Sequence, residues 1–90
     1  MNIEFTQVFD RNFSGLPADT QKKARFVIET FIDAYASRHF PKSLRVHKCG
    51  AFLSLSVRMD IRIFVLPILA GVRFAFIGDH KMADKYLKKN

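Results

Sequence analysis

Between Phe52 and Ile77 the chain alternates in side-chain character through three consecutive runs, and residues two apart on a strand share a face. Leu53, Leu55 and Val57 form an apolar set, while Phe52, Ser54, Ser56 and Arg58 form a mixed one. Met59-Asp60 reads as a turn, after which Ile61, Ile63 and Val65 repeat the apolar set and Arg62, Phe64 and Leu66 the mixed one. Past a break at Pro67 to Gly71, Val72, Phe74 and Phe76 fall on one face and Arg73, Ala75 and Ile77 on the other. Runs of about six residues, rich in β-branched and aromatic types and separated by short breaks, predict an antiparallel meander. One face of that sheet is fully apolar, so another part of the chain has to cover it. The other face mixes serines, arginines and apolar side chains, and a site belongs there.

The cover is readable upstream. Pro17 suits the first turn of a helix and Asp19 its positive end. Ala24, Val27, Ile28, Phe31 and Tyr35 then recur at the spacing of one buried stripe. Large side chains of this kind contribute about 1.5–3 kcal/mol each when fully buried. The helix is expected to end near Ser37 or Arg38, because Pro41 cannot be entered from a continuing helix. Before it, residues 2–6 read as a short strand and Gln7 to Phe13 as a helical turn or two, broken at Ser14-Gly15. After it come a loop at 39–43, a strand from Leu44 to Cys49, and a turn at Gly50 into the meander. The tail from Lys81 is a short helix whose only large aromatic is Tyr86. The expected class is α+β: one domain over residues 1–90, with an N-terminal strand and two helices packed on an antiparallel β-meander and a short C-terminal helix.

Charge is unevenly placed. The net charge is +7, yet residues 1–36 carry 4 basic and 5 acidic side chains, against 11 and 3 in residues 37–90. Such asymmetry is the footprint of a polyanion-binding face. Cys49 is the only cysteine, which excludes an internal disulfide and fits a reducing compartment. The longest uncharged run, Ile63 to Val72, is interrupted by Pro67 and is too short to span a membrane. With no secretory-type leader read at the N-terminus, a cytoplasmic protein without a membrane partner is expected. His39, His47, Cys49 and His80 lack a zinc-binding spacing, and no Gly-rich phosphate loop is present. Neither a metal nor a small-molecule cofactor is expected.

The order of elements and the residues themselves resemble the RelE/ParE superfamily of bacterial toxins. The likeness runs from Phe5 to the tail. It is carried by the Leu16-Pro17 start of the second helix, LRVHKCG (44–50), LSLSV (53–57), IRIFV (61–65) and the IGDH ending (77–80). The RelE branch is favoured, and it implies a ribosome-dependent mRNA endonuclease that inhibits translation, with the ribosome, mRNA and a cognate acidic antitoxin as partners. The alternatives are a ParE-like DNA gyrase inhibitor and a catalytically inactive member that acts only by binding.

In the RelE branch the 2′-hydroxyl attacks the adjacent phosphate, which calls for an acid–base group and cations on the phosphate oxygens. Arg62 matches the strand arginine and would clamp the phosphate, since its fork binds two oxygens at once. His80 matches the terminal histidine and takes the acid or base role, because histidine ordinarily titrates near neutrality. On the strand before the meander, Arg45 and His47 share one face and Lys48 the other. All three are RNA-contact candidates, joined by Arg58, Arg73, Lys81 and Tyr86. Many relatives carry an aromatic directly after the histidine or four residues beyond it; here those positions hold Lys81 and Asp84, and Tyr86 comes later.

Overall fold

The computed structural model describes residues 1–89. Strand β1 (Asn2–Phe5) leads into helix α1 (Gln7–Ser14) and the long helix α2 (Ala18–Ser37). A 3-10 turn at Lys42–Leu44 follows, then β2 (His47–Cys49), β3 (Phe52–Arg58), β4 (Ile61–Ile68), β5 (Gly71–Asp79) and helix α3 (His80–Lys89). The five strands form one sheet in the order β1-β5-β4-β3-β2. Two-residue turns at Met59-Asp60 and Leu69-Ala70 leave β3, β4 and β5 no option but antiparallel pairing. β1 adds to the outer edge of β5 in parallel, which makes the sheet mixed. Gly71 permits this pairing, since a Cβ there would lie 1.9 Å from the Asn2 carbonyl oxygen.

Thr6, between β1 and α1, ties both to β5. Its hydroxyl accepts from the Phe9 amide at 3.1 Å, capping α1, and donates to the Ala75 carbonyl of β5 at 2.7 Å. That carbonyl belongs to an extra residue. Phe64 pairs with Phe76 but the next residue, Val65, pairs with Phe74, so Ala75 forms a bulge.

The bulge corrects one sequence expectation. Val72 and Phe74 lie under the helices as predicted, but past Ala75 the alternation changes phase, so Ile77 joins that core and Phe76 moves to the opposite face with Phe64. The main core is therefore Leu55, Val57, Ile61, Ile63, Val65, Val72, Phe74 and Ile77 beneath Ala24, Val27, Ile28 and Phe31 of α2. Ala34 is buried at the end of the helical stripe, whereas Tyr35 is half-buried, its ring 5.6 Å from Phe31 and 6.4 Å from Phe40.

The mixed face is less open than its composition implies. Phe64 and Phe76 are buried there by Ala83, Tyr86 and Leu87 of α3, with Phe52 and Cys49 at the margin. Ser54 is only 7% exposed. The molecule thus has two cores, a large one under α2 and a small aromatic one under α3.

The strand expected over Leu44–Cys49 begins only at His47. Leu44 is buried against α2, and the chain reaches it through the 3-10 turn, with Arg45 in the left-handed region at φ 48°. A flat strand would have left Leu44 outside. Arg45 consequently lies off the sheet, while Val46 packs on the main core.

Candidate functional site

Arg62 sits mid-strand in β4, between Ser56 of β3 and Gly78 of β5. It is half-buried and makes no hydrogen bond or ion pair among the described residues. Its natural neighbours are engaged elsewhere. The Ser56 hydroxyl donates to the Arg58 carbonyl at 3.1 Å, and Asp79 accepts from the Met82 amide at 2.8 Å, capping the first turn of α3. A guanidinium lacking a protein acceptor keeps its five donors open to water or to an anion, and their fork matches the oxygens of a phosphate.

Gly78 is what brings α3 close to Arg62. A Cβ on it would stand 2.7 Å from the Phe76 ring and 3.3 Å from Met82, so only glycine lets the first turn of α3 lie directly on the sheet. His80 opens α3 two residues later, exposed, with Nε2 2.9 Å from the Met59 carbonyl of the β3–β4 turn. A carbonyl can only accept, so Nε2 carries the hydrogen and Nδ1 is the ring position left for chemistry. Arg62 and His80 therefore lie at the same end of the sheet, one in its surface and one on its rim.

The other sequence candidates separate. His47 pairs with Ser54 and so shares the Arg62 face, whereas Lys48 pairs with Leu53 and points to the α2 side. Both are exposed, as are Arg45 and Lys81. Arg58 is held on the α2 side by Asp19 at 3.5 Å and the Thr20 hydroxyl at 3.1 Å. Arg73 is bonded to Glu4 across the β1–β5 pair at 2.8 Å. The Tyr86 ring stacks 4.8 Å from Phe76 and 6.2 Å from Phe64, which makes it the anchor of α3.

Sequence reasoning missed Met59, which acts through its backbone, and the cap at Asp79. The cap was open to reading, since an aspartate before a polar run is an N-cap signal. No three His, Cys, Asp or Glu side chains cluster as metal ligands among the described residues, and no helix among them is long and apolar enough to cross a membrane.

Comparison with solved structures gives full-length matches. RelE in the RelB–RelE antitoxin–toxin complex of Methanococcus jannaschii superposes with a TM-score of 0.71 at 15% identity, over 92% of this chain and 96% of that one. The chain has the RelE-type toxin fold. YafQ of the E. coli DinJ–YafQ toxin–antitoxin complex matches with a TM-score of 0.69 at 15% identity, covering 90% of this chain and 93% of its own. A copper-bound mutant toxin from Helicobacter pylori matches with a TM-score of 0.68 at 12% identity, over 91% and 97% of the two chains. No protein-family model and no curated protein matches by sequence.

Proposed function

We propose that this chain is the toxin of a toxin–antitoxin pair and cuts mRNA on the ribosome, in the cytoplasm. The observation that carries the reading is Arg62, half-buried and without a protein acceptor, at the end of the sheet where His80 keeps one ring nitrogen open. The scissile phosphate would sit on the Arg62 fork. The 2′-oxygen bonds to phosphorus as its proton leaves, and the bond from phosphorus to the 5′-oxygen breaks as that oxygen gains a proton. The products are a 2′,3′-cyclic phosphate and a 5′-hydroxyl. Whichever transfer His80 serves, it passes through Nδ1, and water serves the other. Arg62 offsets charge that develops on the phosphate oxygens. His47 and Lys81 would contact flanking phosphates. Solved relatives of this fold are bound to the antitoxins RelB and DinJ, which supports a cognate antitoxin here, acidic to match the basic C-terminal half.

The test is single-turnover cleavage of mRNA on purified ribosomes, with ribosome binding measured separately. Arg62→Ala should slow cleavage on the order of 10²–10³-fold, and His80→Ala on the order of 10²–10⁴-fold. Arg62→Lys keeps the charge without the fork and should restore only part of the rate. Ribosome affinity should change little in all three. Uncut mRNA with the parent protein removes the nuclease reading.

The bond from His80 to Met59 favours a second reading, in which the histidine is a staple for the β3–β4 turn and the protein acts by binding alone, as a gyrase inhibitor or an inactive partner. Induction in cells separates the three. Protein synthesis stops first for the nuclease, replication stops with an SOS response for the gyrase inhibitor, and neither stops for the inactive partner.

A further inference from the structure

The longest stretch of the chain without a carboxylate lies between Asp33 and Asp60, and it carries Arg38, Lys42, Arg45, Lys48 and Arg58. Of these, only Arg58 has an ion pair among the described residues. The other four are exposed and lie on or beside the loop joining α2 to β2. Phe40 stands among them, 41% exposed, its inner side braced by Phe31 at 5.8 Å and Tyr35 at 6.4 Å. The ring separates two hollows. One, of about 420 Å³, is bordered by Tyr35 and Arg38; the other, of about 450 Å³, by Lys42, Arg45 and His47. Arg45 also borders a third hollow that ends at Met59, whose carbonyl holds His80. A cationic track thus runs from the end of α2 to the rim of the site, with Phe40 the ring inside the loop and Phe26, 64% exposed, bordering the third hollow.

We propose that this loop is a landing site for single-stranded RNA. A base stacks on Phe40, Arg38 on one side and Lys42 and Arg45 on the other hold the adjoining phosphates, and the strand continues over the Met59 turn toward His80. Base–aromatic stacking is tolerant of sequence, as a general mRNA contact has to be. An acidic amphipathic helix would instead require a row of apolar anchors, and the loop offers one ring between cations. The proposal deepens the nuclease reading and depends on it only for the direction of the strand.

The backbone supplies an unusually clean test. Arg38 and Arg45 both adopt left-handed conformations, φ 59° and 48°, which glycine takes without penalty. Arg38→Gly with Arg45→Gly therefore removes two charges without straining the fold. Binding of a fluorescently labelled 12-nucleotide oligo(U) is read by anisotropy across a salt series, with every protein also carrying His80→Ala so that cleavage plays no part. The double glycine variant should lower the slope of log affinity against log salt by about 1.4, at about 0.7 per phosphate contact. Phe40→Leu should weaken binding about 5- to 150-fold with the slope unchanged, and Phe40→Tyr should restore it. Lys85→Ala with Lys88→Ala on α3 removes equal charge and should lower the slope by less than half as much. Equal losses from both charge pairs, an unchanged slope, or an oligo-glutamate peptide that outcompetes the RNA overturns the proposal. If the loop variants behave as stated while the parent leaves ribosome-bound mRNA intact, the landing site stands and the nuclease reading falls.

Discussion

Gly78→Ala places one methyl group where the sheet, α3 and the site meet. The added carbon would lie 2.7 Å from the Phe76 ring and 3.3 Å from Met82, against a comfortable carbon–carbon separation of about 3.5–4.0 Å. Phe76 has little room to yield, being 2% exposed with Phe64 at 5.3 Å and Tyr86 at 4.8 Å. Forcing a methylene into such packing costs about 1–3 kcal/mol. Replacing glycine within a strand returns about 0.5–1 kcal/mol of backbone entropy, so the net loss should be roughly 0–2.5 kcal/mol. In a domain of this size each kcal/mol lowers the melting temperature by about 4–8 °C. The methyl group should also lift the first turn of α3 and pull His80 from Met59, so ribosome-dependent cleavage should fall by more than the stability loss explains. Urea titration with the unfolding slope m checked for constancy gives the first quantity, and the double variant with Phe76→Leu gives the coupling. If Gly78→Ala melts with the parent and the Phe76 and Tyr86 ring resonances stay in place, the tight fit of α3 on the sheet has been misjudged.

Gly71→Ala meets backbone instead of a side chain, at 1.9 Å from the Asn2 oxygen, and should detach β1; loss of amide protection in residues 2–5 with the meander still protected would show it. Ile63→Asp should unfold the domain by burying an unpaired carboxylate, whereas Ser56→Asp, half-exposed on the other face, should retain the parent circular dichroism spectrum and melt within a few degrees of it. Arg58→Ala should destabilise by only about 0.5–1.5 kcal/mol in urea titration, since its pair with Asp19 is largely exposed and its main loss is the bond to the Thr20 hydroxyl.

The meander and α2 were legible because each is governed by a local period that its own residues declare. Leu55, Ile63 and Val72 alternate, and Val27, Ile28 and Phe31 recur at helical spacing, before any partner is known. The bulge at Ala75 was not, because an extra residue leaves the local alternation of β5 intact and appears only against β4. Phe76 was misplaced for that reason. Leu44 misled in a different way, its burial requiring a turn where its neighbours read as strand. At the site, Arg62 and His80 were singled out from sequence as the phosphate clamp and the acid–base group, and the structure sets both at one end of the sheet. What holds His80 there is a main-chain carbonyl, and a carbonyl carries no side-chain signature.

The parallel pairing of β1 with β5 has a consequence for how the chain is made. The Thr6–Ala75 bond joins residues 69 apart, and nothing nearer in sequence can satisfy that edge. At synthesis rates of about 5–20 residues per second, β1 leaves the ribosome roughly 3–14 s before its partner strand does. The meander closes through short turns and can form as it emerges, but β1 has to wait with Ile3 and Phe5 unplaced. Until it docks, the outer edge of β5 is an open template that a neighbouring nascent chain could fill. Of the five strands the first made is therefore the last inserted, and for those seconds its docking competes with pairing between newly made copies.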